Sequence, residues 1–296
     1  MGVLETGGIT LPREMTNGIW KKAQDGSAVA ALVGSEPQKF GETDIMTFDT
    51  DPKAEFVAEG GQKSSQDVGF GLRTVKPHKA QVTMRFSSEV KWSDEDYQLE
   101  VLQTLSDAAG IALGRALDLG SFHAINPLSG LGAASITDYL MQTANIVIAQ
   151  PGNPDIDIES AAGLVIADHF TPTGVALDRS YAWTIATTRY NDGRKKFPDL
   201  GLGIGLTQFE GISASVSDTV SASREAASPT DVLGIVGDWS TFRWGVQRNI
   251  GVQMIEFGDP DGQGDLKRLN QIALRAEVVY GWAFMDKNAF AVIKAV

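Results

Sequence analysis

The stretch QIALRAEVVYGWAFM, residues 271–285, follows a period of two in its large apolar residues. Every even-numbered position in it carries an apolar side chain: Ile272, Leu274, Ala276, Val278, Tyr280, Trp282 and Phe284. A period of two predicts a β-strand, and a strand of this size at about 3.3 Å per residue spans about 50 Å. The sequence therefore predicts one unusually long strand close to the C-terminus.

A long helix is predicted in the first half of the chain, over residues 93–119. Apolar residues recur there at intervals of three and four, which is the helical period. Ser93 and Asp96 form a capping-box pattern at its start, and Gly120 is expected to end it. A rise of 1.5 Å per residue gives a length of about 39 Å. The long strand could run beside this helix, so that the two form one elongated unit.

Two further strands are predicted over residues 44–58 and 68–90, and they enclose the polar tip GGQKSS with Lys63 in it. The first strand is mainly acidic and the second mainly basic, and opposite charges across a hairpin stabilise it by about 0.2–1 kcal/mol per pair. An isolated two-stranded hairpin is marginal in water, and no nearby segment offers a surface for it. We therefore predict an intersubunit element, whose interface residues are Phe48, Phe56, Phe70, Leu72, Arg73 and Arg85.

Residues 121–265 mix short helical and strand patterns, which predicts a compact α/β domain. Helices are expected at 158–170 and from about Asp178 onwards, and strands at 174–178, 209–218 and 231–239. TFRWGVQ, residues 241–247, and NIGVQMIEF, residues 249–257, are expected to form a strand pair. Residues 1–41 show no long periodic element, so they are either an arm that packs along another part of the molecule or a floppy terminus.

Composition narrows the class of protein. The 296 residues are 43% hydrophobic, carry a formal net charge of −12 and include no cysteine. Without cysteine there are no disulfides, thiolate metal sites or cysteine catalysis, and an acidic chain has no general attraction for a phosphate backbone. The N-terminal sequence lacks the basic-then-apolar pattern of a secretion signal. No apolar run reaches the roughly 18 residues of a membrane span.

The segment DPDGQGD, residues 259–265, partly resembles a calcium-binding loop. Asp259, Asp261 and Gly264 fall at the first, third and sixth positions of such a loop. The twelfth position is Asn270, where a bidentate glutamate is needed. A surface turn between strands is therefore expected instead.

Other motifs do not support an enzyme, a cofactor or a metal site. The segment GLGIGL, residues 201–206, lacks the spacing of a phosphate-binding loop, and Ser129 lies outside a nucleophile-elbow motif. Three histidines, His78, His123 and His169, show no paired metal-ligand spacing. Trp239 and Trp244 are expected to pack in the core rather than to stack on a ligand. The sequence predicts no catalytic residues and no cofactor.

Three stretches carry a family resemblance: VALDRSYAWTIATTRYNDGRKKFPD at 175–199, GDWSTFRWGVQRNIGVQMIE at 237–256 and NQIALRAEVVYGWAFMDKNAFAVIK at 270–294. In this order and spacing they resemble the central helix and loop, the Gly-Asp strand pair and the C-terminal strands of the major capsid proteins of tailed bacteriophages. These proteins have the Hong Kong 97 fold, and the resemblance covers nearly the whole chain.

The resemblance implies an α+β fold of the Hong Kong 97 type, in four parts. An N-terminal arm would cover residues 1–41 and a long β-hairpin, the extended loop, residues 42–90. A peripheral domain with the spine helix and long strands would combine residues 91–120 and 266–296. The compact axial α/β domain would be residues 121–265.

The function implied by the resemblance is that of a major capsid protein that self-assembles into hexamers and pentamers of an icosahedral head. The head would enclose double-stranded DNA without sequence-specific binding, and no membrane would be involved. Separate scaffolding, portal and decoration proteins are expected partners, and the virion is the expected location after assembly in the host cytoplasm. The alternative is an encapsulin-like bacterial compartment shell, and a metal-assisted hydrolase using Asp259 and Asp261 ranks last.

A covalent cross-link is also implied, because some members of the family join a loop lysine to an asparagine of a neighbouring peripheral domain, promoted by a glutamate. Lys63, Asn270 and Glu277 match these three residues, and the spacing of the last two agrees with that of the cross-linking members. Non-linking members also carry an asparagine and a glutamate in this strand, and a lysine at a polar tip is commonly just solvated. Both interpretations of Lys63 remain open at this point.

Overall fold

Two β-sheets and four α-helices make up the described part of a computed structural model, residues 26–48, 52–67, 69–89, 95–190, 192–198, 200 and 206–295. The helices are α1 (Ala28–Leu32), α2 (Glu95–His123), α3 (Pro154–Ala167) and α4 (Arg179–Thr187). The strands are β1 (Thr43–Phe48), β2 (Phe70–Ser87), β3 (Ile146–Ile148), β4 (Gly174–Leu177), β5 (Gln208–Phe209), β6 (Ile212–Val216), β7 (Val232–Gly237), β8 (Phe242–Ile255), β9 (Gln271–Phe284) and β10 (Phe290–Lys294).

The long C-terminal strand is present as β9, in the middle of a four-stranded antiparallel sheet ordered β1-β2-β9-β8. All seven of its even-numbered apolar side chains are buried. The hydroxyl of Tyr280 donates to the carbonyl of Leu113 in α2 (3.2 Å). The helix therefore lies against the strand, as the two periodic patterns predicted.

The expected end of the long helix at Gly120 is wrong, because α2 continues to His123. A Cβ atom on Gly120 would lie 3.0 Å from the Trp282 ring, so this glycine allows close contact between helix and sheet rather than stopping the helix. The helix ends where Ala124 adopts a left-handed conformation (φ 54°), a common way to close a helix C-terminus. The predicted cap, Ser93, lies outside the described residues.

The second strand of the predicted hairpin has two partners instead of one. Only its first six residues, Phe70–Val75, pair with β1. The remainder, Lys76–Ser87, pairs with β9. The support expected from a neighbouring subunit is therefore not needed for residues 76–87, because they pair with β9 of the same chain, which lies almost two hundred positions later in the sequence.

The second sheet has six strands in the order β3-β10-β7-β4-β6-β5. The final strand β10 pairs here with β3 and β7, whereas the predicted grouping placed it with the spine helix. Conversely, the predicted strand pair at 241–257 is one strand, β8, that pairs with β9 through two register shifts. Pairing therefore assigns β8 to the first sheet and β10 to the second.

Residues 26–42, here called the strap, begin with α1 against β4, β6 and α2 and then cross the first sheet at β8. The Trp244 indole donates to the Val33 carbonyl (3.0 Å), and the Glu36 amide donates to the Trp244 carbonyl (2.8 Å). Gln247 pairs with both backbone groups of Gly41, at 3.1 and 3.0 Å. The strap is thus a packed part of the fold; the rest of the predicted N-terminal arm, residues 1–25, lies outside the described residues.

Candidate interface on the extended arm

The arm, residues 43–75, leaves the four-stranded sheet as a ladder between β1 and the first third of β2. In its register Met46 lies opposite Leu72 and Phe48 opposite Phe70. Directly opposed residues of a sheet point to the same side, and the Phe48 and Phe70 rings lie 5.0 Å apart. The four side chains therefore form one continuous apolar face.

This apolar face is open to solvent in the single chain. Phe48 is 76% exposed, Met46 66%, Leu72 63% and Phe70 58%. Large apolar residues that are exposed together, rather than singly, mark interaction surfaces. Three of the four were predicted as interface residues; Met46 was missed, although its position two residues before Phe48 gives it the same side of the strand.

Residues 52–58 are not in a strand, so the predicted first strand, 44–58, is too long. The two legs are joined by side chains instead of a backbone ladder. Gln66 exchanges two hydrogen bonds with the backbone of Lys53 (2.7 and 2.6 Å). The Ser64 amide and hydroxyl both donate to Glu55 (2.7 Å each), and the pKa of Glu55 is lowered mainly by that amide and then by that hydroxyl.

The arm ends in a tight turn at residues 58–61. The Gly61 amide donates to the Ala58 carbonyl (2.8 Å), and Gly60 has a positive φ of 80°, which glycine tolerates best. Phe56 is fully exposed beside this turn, and Lys63 follows it as an exposed residue. The tip therefore presents one aromatic ring and one ammonium group to the surroundings.

Arg73 and Arg85, the two charged residues predicted for the interface, lie in different places. Arg73 is on the arm and donates to the carbonyl of Met285 in its own chain (3.2 Å). Arg85 is near the other end of β2, opposite Ala273 of β9. It therefore has no acidic partner across the hairpin, contrary to the charge pairing expected there.

Arg85 is instead enclosed by the turn at 259–265. Its guanidinium donates to Asp259 (2.9 Å), to both carboxylate oxygens of Asp261 and to the carbonyl of Gly264 (3.0 Å). The hydrogen bond to Asp261 is the main cause that raises the pKa of Arg85 and lowers that of Asp261. The segment is a surface turn, as predicted, and its carboxylates bind an arginine of the same chain.

Asn270 directly precedes β9 and Glu277 lies in the middle of β9; they are the other two residues of the implied cross-link. Seven residues of strand separate them by about 23 Å. The Glu277 carboxylate is only 13% exposed and pairs with Lys79 (2.9 Å), and Asn270 accepts a hydrogen bond from the Ser88 hydroxyl. One chain therefore does not bring Lys63, Asn270 and Glu277 together.

The histidines and tryptophans considered in the sequence analysis lie in packing or helix-end positions. His123 is half-buried with its ring nitrogen 2.9 Å from the Val220 carbonyl, and the loss of solvation lowers its pKa to about 4. His78 stacks on Trp282, with ring centres 4.1 Å apart. His169 follows α3 with a positive φ of 67°, and Trp239 and Trp244 are buried in the core as predicted. The GLGIGL segment lies almost wholly outside the described residues.

Neither a metal-binding cluster nor a membrane-spanning helix is present among the residues that the structure describes. No group of three or more His, Asp or Glu side chains in this part of the chain is arranged to hold a metal ion. Within it, no helix combines the length and the apolar character needed to cross a membrane.

Comparison with known proteins gives a consistent result across the chain. A family model described as "Phage capsid family" matches residues 7–295. A solved structure from Mycobacterium phage Ogopogo is 45% identical, with a TM-score of 0.82 over 91% of this chain and 92% of that chain. One from Gordonia phage Cozz is 29% identical, with a TM-score of 0.79 over 91% and 86% of the two chains. Among curated proteins no significant match was found.

A more distant structure shows the fold alone. The chain described as "Capsid of empty GTA particle computed with C5 symmetry" is 13% identical, with a TM-score of 0.63 over 92% of this chain and 90% of that one. The α+β architecture is therefore that of phage capsid structures, the Hong Kong 97 type.

Proposed function

Because this chain belongs to the phage capsid family, it is a structural protein of the virion shell, and we propose that it closes an icosahedral head as hexamers and pentamers around double-stranded DNA. As a major capsid protein it assembles with copies of itself and is not an enzyme. The encapsulin alternative is not favoured, since the similar structures named above come from phages and a GTA particle.

The exposed apolar face of the arm is the observation that supports self-assembly most directly. Its four side chains, Met46, Phe48, Phe70 and Leu72, are each more than half exposed in the single chain. Burying a side chain of this size stabilises an assembly by about 1.5–3 kcal/mol. The arm therefore gains several kcal/mol per subunit if a neighbouring copy covers this face.

We also propose a domain organisation for the subunit, adjusted to the strand pairing. The extended loop is the arm, residues 43–75, preceded by the strap as the packed part of the N-terminal arm. The peripheral domain consists of α2 and the rest of the four-stranded sheet, which includes β8. The axial domain consists of the six-stranded sheet with its helices α3 and α4, which includes β10.

Separate scaffolding, portal and decoration proteins, and assembly in the host cytoplasm, remain proposals. The overall charge of −12 supports the proposal that the shell encloses DNA without binding it tightly. A negative wall repels phosphate, so the shell would enclose the genome without gripping it.

Serine substitution on the arm tests the assembly role. We expect the double variant Phe48→Ser/Phe70→Ser to stay folded, because substitutions of exposed residues usually change stability by only about 0.5 kcal/mol. We expect it to lose most of its shells in sedimentation and electron microscopy. The matched control is Ile166→Ser, an exposed isoleucine of α3 (60% exposed) away from the arm.

Normal shells from the double variant would contradict the assembly role of the arm.

Electron microscopy of wild-type particles tests the proposed icosahedral head and its DNA content. Dense DNA inside wild-type particles with five- and six-fold capsomers is expected, whereas protein cargo inside would restore the compartment alternative.

A further inference from the structure

A fully buried carboxylate in the spine helix binds the start of the strap. Asp118 in α2 has no exposed surface. It accepts hydrogen bonds from the Ser27 hydroxyl, the Ala28 amide (2.7 Å), the Val29 amide (3.2 Å) and the Thr219 hydroxyl (2.6 Å). One side chain thus joins the strap, the helix and the loop that follows β6.

This junction determines where the strap is held. Ser27 also caps α1 by accepting a hydrogen bond from the Ala30 amide (3.1 Å). From α1 the strap crosses the four-stranded sheet and leads directly into β1. Asp118 therefore anchors one end of the segment whose other end is the base of the arm.

The charged and titratable groups around the junction provide no free cation to balance the charge of the Asp118 carboxylate. Arg115 of α2 is bound by Asp218 (2.5 Å) and Glu225 (2.6 Å). The Tyr280 phenol of β9 is neutral, since burial and then the charge of Asp118 raise its pKa. His123, farther along α2, is also neutral at ordinary pH, because burial lowers its pKa to about 4. A buried carboxylate without a cation is costly to ionise.

Both protonation states of Asp118 can keep their hydrogen bonds. Two of its four donors are hydroxyl groups, and a hydroxyl can either donate or accept. Thr219 has a further hydroxyl neighbour in Ser217, with 2.7 Å between the oxygens. If Asp118 gains a proton, one of the two hydroxyl groups can turn and accept a hydrogen bond from the new carboxyl O–H, while the two backbone amides still donate to the carboxyl oxygens. The junction can therefore change charge without leaving a polar group unsatisfied.

We propose that Asp118 is a proton-linked latch, which holds the strap more tightly when it is protonated and lets the strap detach more easily when it is ionised. The latch concerns the single chain and goes beyond the capsid assignment. Its effect is to make the seating of the strap, and with it the base of the arm, depend on pH.

The direction of the effect follows from burial. Burial raises the pKa of Asp118 from 3.8 to about 6 in the docked chain. When the strap lifts, water reaches the carboxylate and its pKa falls back towards 3.8. The docked state therefore binds the proton more tightly. The additional stabilisation of the docked strap is fully present below the undocked pKa and is lost as pH rises through about 6. The equilibrium constant for docking therefore falls about tenfold between pH 5 and pH 8.

Hydrogen exchange of the purified full-length protein tests the latch. After correction for intrinsic exchange rates, we expect protection of the amides at residues 28–42 to fall about tenfold from pH 5 to pH 8. Asp118→Asn should remove this pH dependence. The control Asp107→Asn should keep it, because Asp107 is a carboxylate of the same helix bound to Gln103 instead (3.0 Å). A flat wild-type profile, or an unchanged slope in Asp118→Asn, overturns the proposal.

A second variant keeps the test valid if Asp118→Asn does not fold. Ser27→Ala removes one donor to the carboxylate and leaves the titrating group in place. Because a donor favours the ionised form, its loss should move the midpoint of the protection profile to higher pH. A profile of lower protection with an unmoved midpoint would mean that Ser27 only packs the strap, and the latch would be refuted.

Discussion

Gly245 and Gly281 lie opposite each other where the strap crosses the four-stranded sheet. A Cβ atom on Gly245 would lie 2.0 Å from the Glu36 carbonyl oxygen, a backbone atom that cannot rotate away. We expect Gly245→Ala to push the strap off the sheet and to destabilise the chain by about 1–3 kcal/mol, the usual cost of overpacking. Thermal unfolding and proteolysis of the strap measure the effect.

Gly163 provides a control of opposite sign. It lies in α3, and nothing is found within 4 Å of the position that its Cβ would take. Alanine is a better helix former than glycine by about 1 kcal/mol, so Gly163→Ala should raise the melting temperature. Equal melting temperatures for the two alanine variants would show that the strap does not depend on close approach at Gly245.

At the scale of elements, the turn at 259–265 is expected to depend on Arg85. Arg85→Gln leaves Asp259 and Asp261 facing each other without their cation, so the melting temperature should fall at neutral pH. Arg194→Gln should have little effect, because its pair with Asp192 is largely exposed and exposed pairs contribute little. Differential scanning calorimetry of both variants makes the comparison.

The pH dependence of that difference has a definite sign. The folded-state pKa of Asp261 is lowered, chiefly by its hydrogen bond to Arg85. The contribution of this pair is therefore present above the ordinary pKa of 3.8 and is lost as pH falls through the lowered value. The gap between wild type and Arg85→Gln should close in strong acid, and a gap that stays constant with pH would mean that Arg85 acts through packing.

The sequence predicted those elements whose signal is local. The alternation at 271–285 and the helical period at 93–119 predicted β9 and most of α2, since each pattern reports its own buried face. The arm was predicted as an exposed apolar hairpin for the same reason. What depends on distant partners was not predicted: that β9 supports Lys76–Ser87, that Arg85 faces the turn at 259–265, and that Asp118 binds the strap.

At the scale of the whole molecule, the apolar side chains of the single chain fall into two groups, one buried in the core and one exposed on the arm. The sheets and α2 enclose a continuous core, from Ala28 and Val29 of the strap to the apolar residues of β9 and β10. The arm carries its apolar side chains outside that core. The single chain therefore buries its core without a partner, but the apolar face of its arm is buried only when a neighbouring copy covers it. This favours assembly with neighbouring copies.

Covalent joining of such copies is the remaining prediction for Lys63. Because about 23 Å of strand separates Asn270 from Glu277, the bond would need groups from more than one subunit, and Lys79 would have to release Glu277. The neutral Lys63 amine would then attack the Asn270 amide carbon, and Glu277 would take a proton from the attacking nitrogen and pass it to the Asn270 amide nitrogen, which would leave as ammonia.

Boiling mature shells in detergent distinguishes this bond from a lysine that is only solvated. The cross-link predicts bands at multiples of the 31.6 kDa chain. These bands should disappear in both Lys63→Ala and Glu277→Gln, while Lys53→Ala, which changes the other lysine of the arm, should keep them. A single band at the monomer mass from fully expanded wild-type shells would exclude the bond. Lys63 would then be a polar residue that keeps the tip soluble before a neighbouring copy covers the arm.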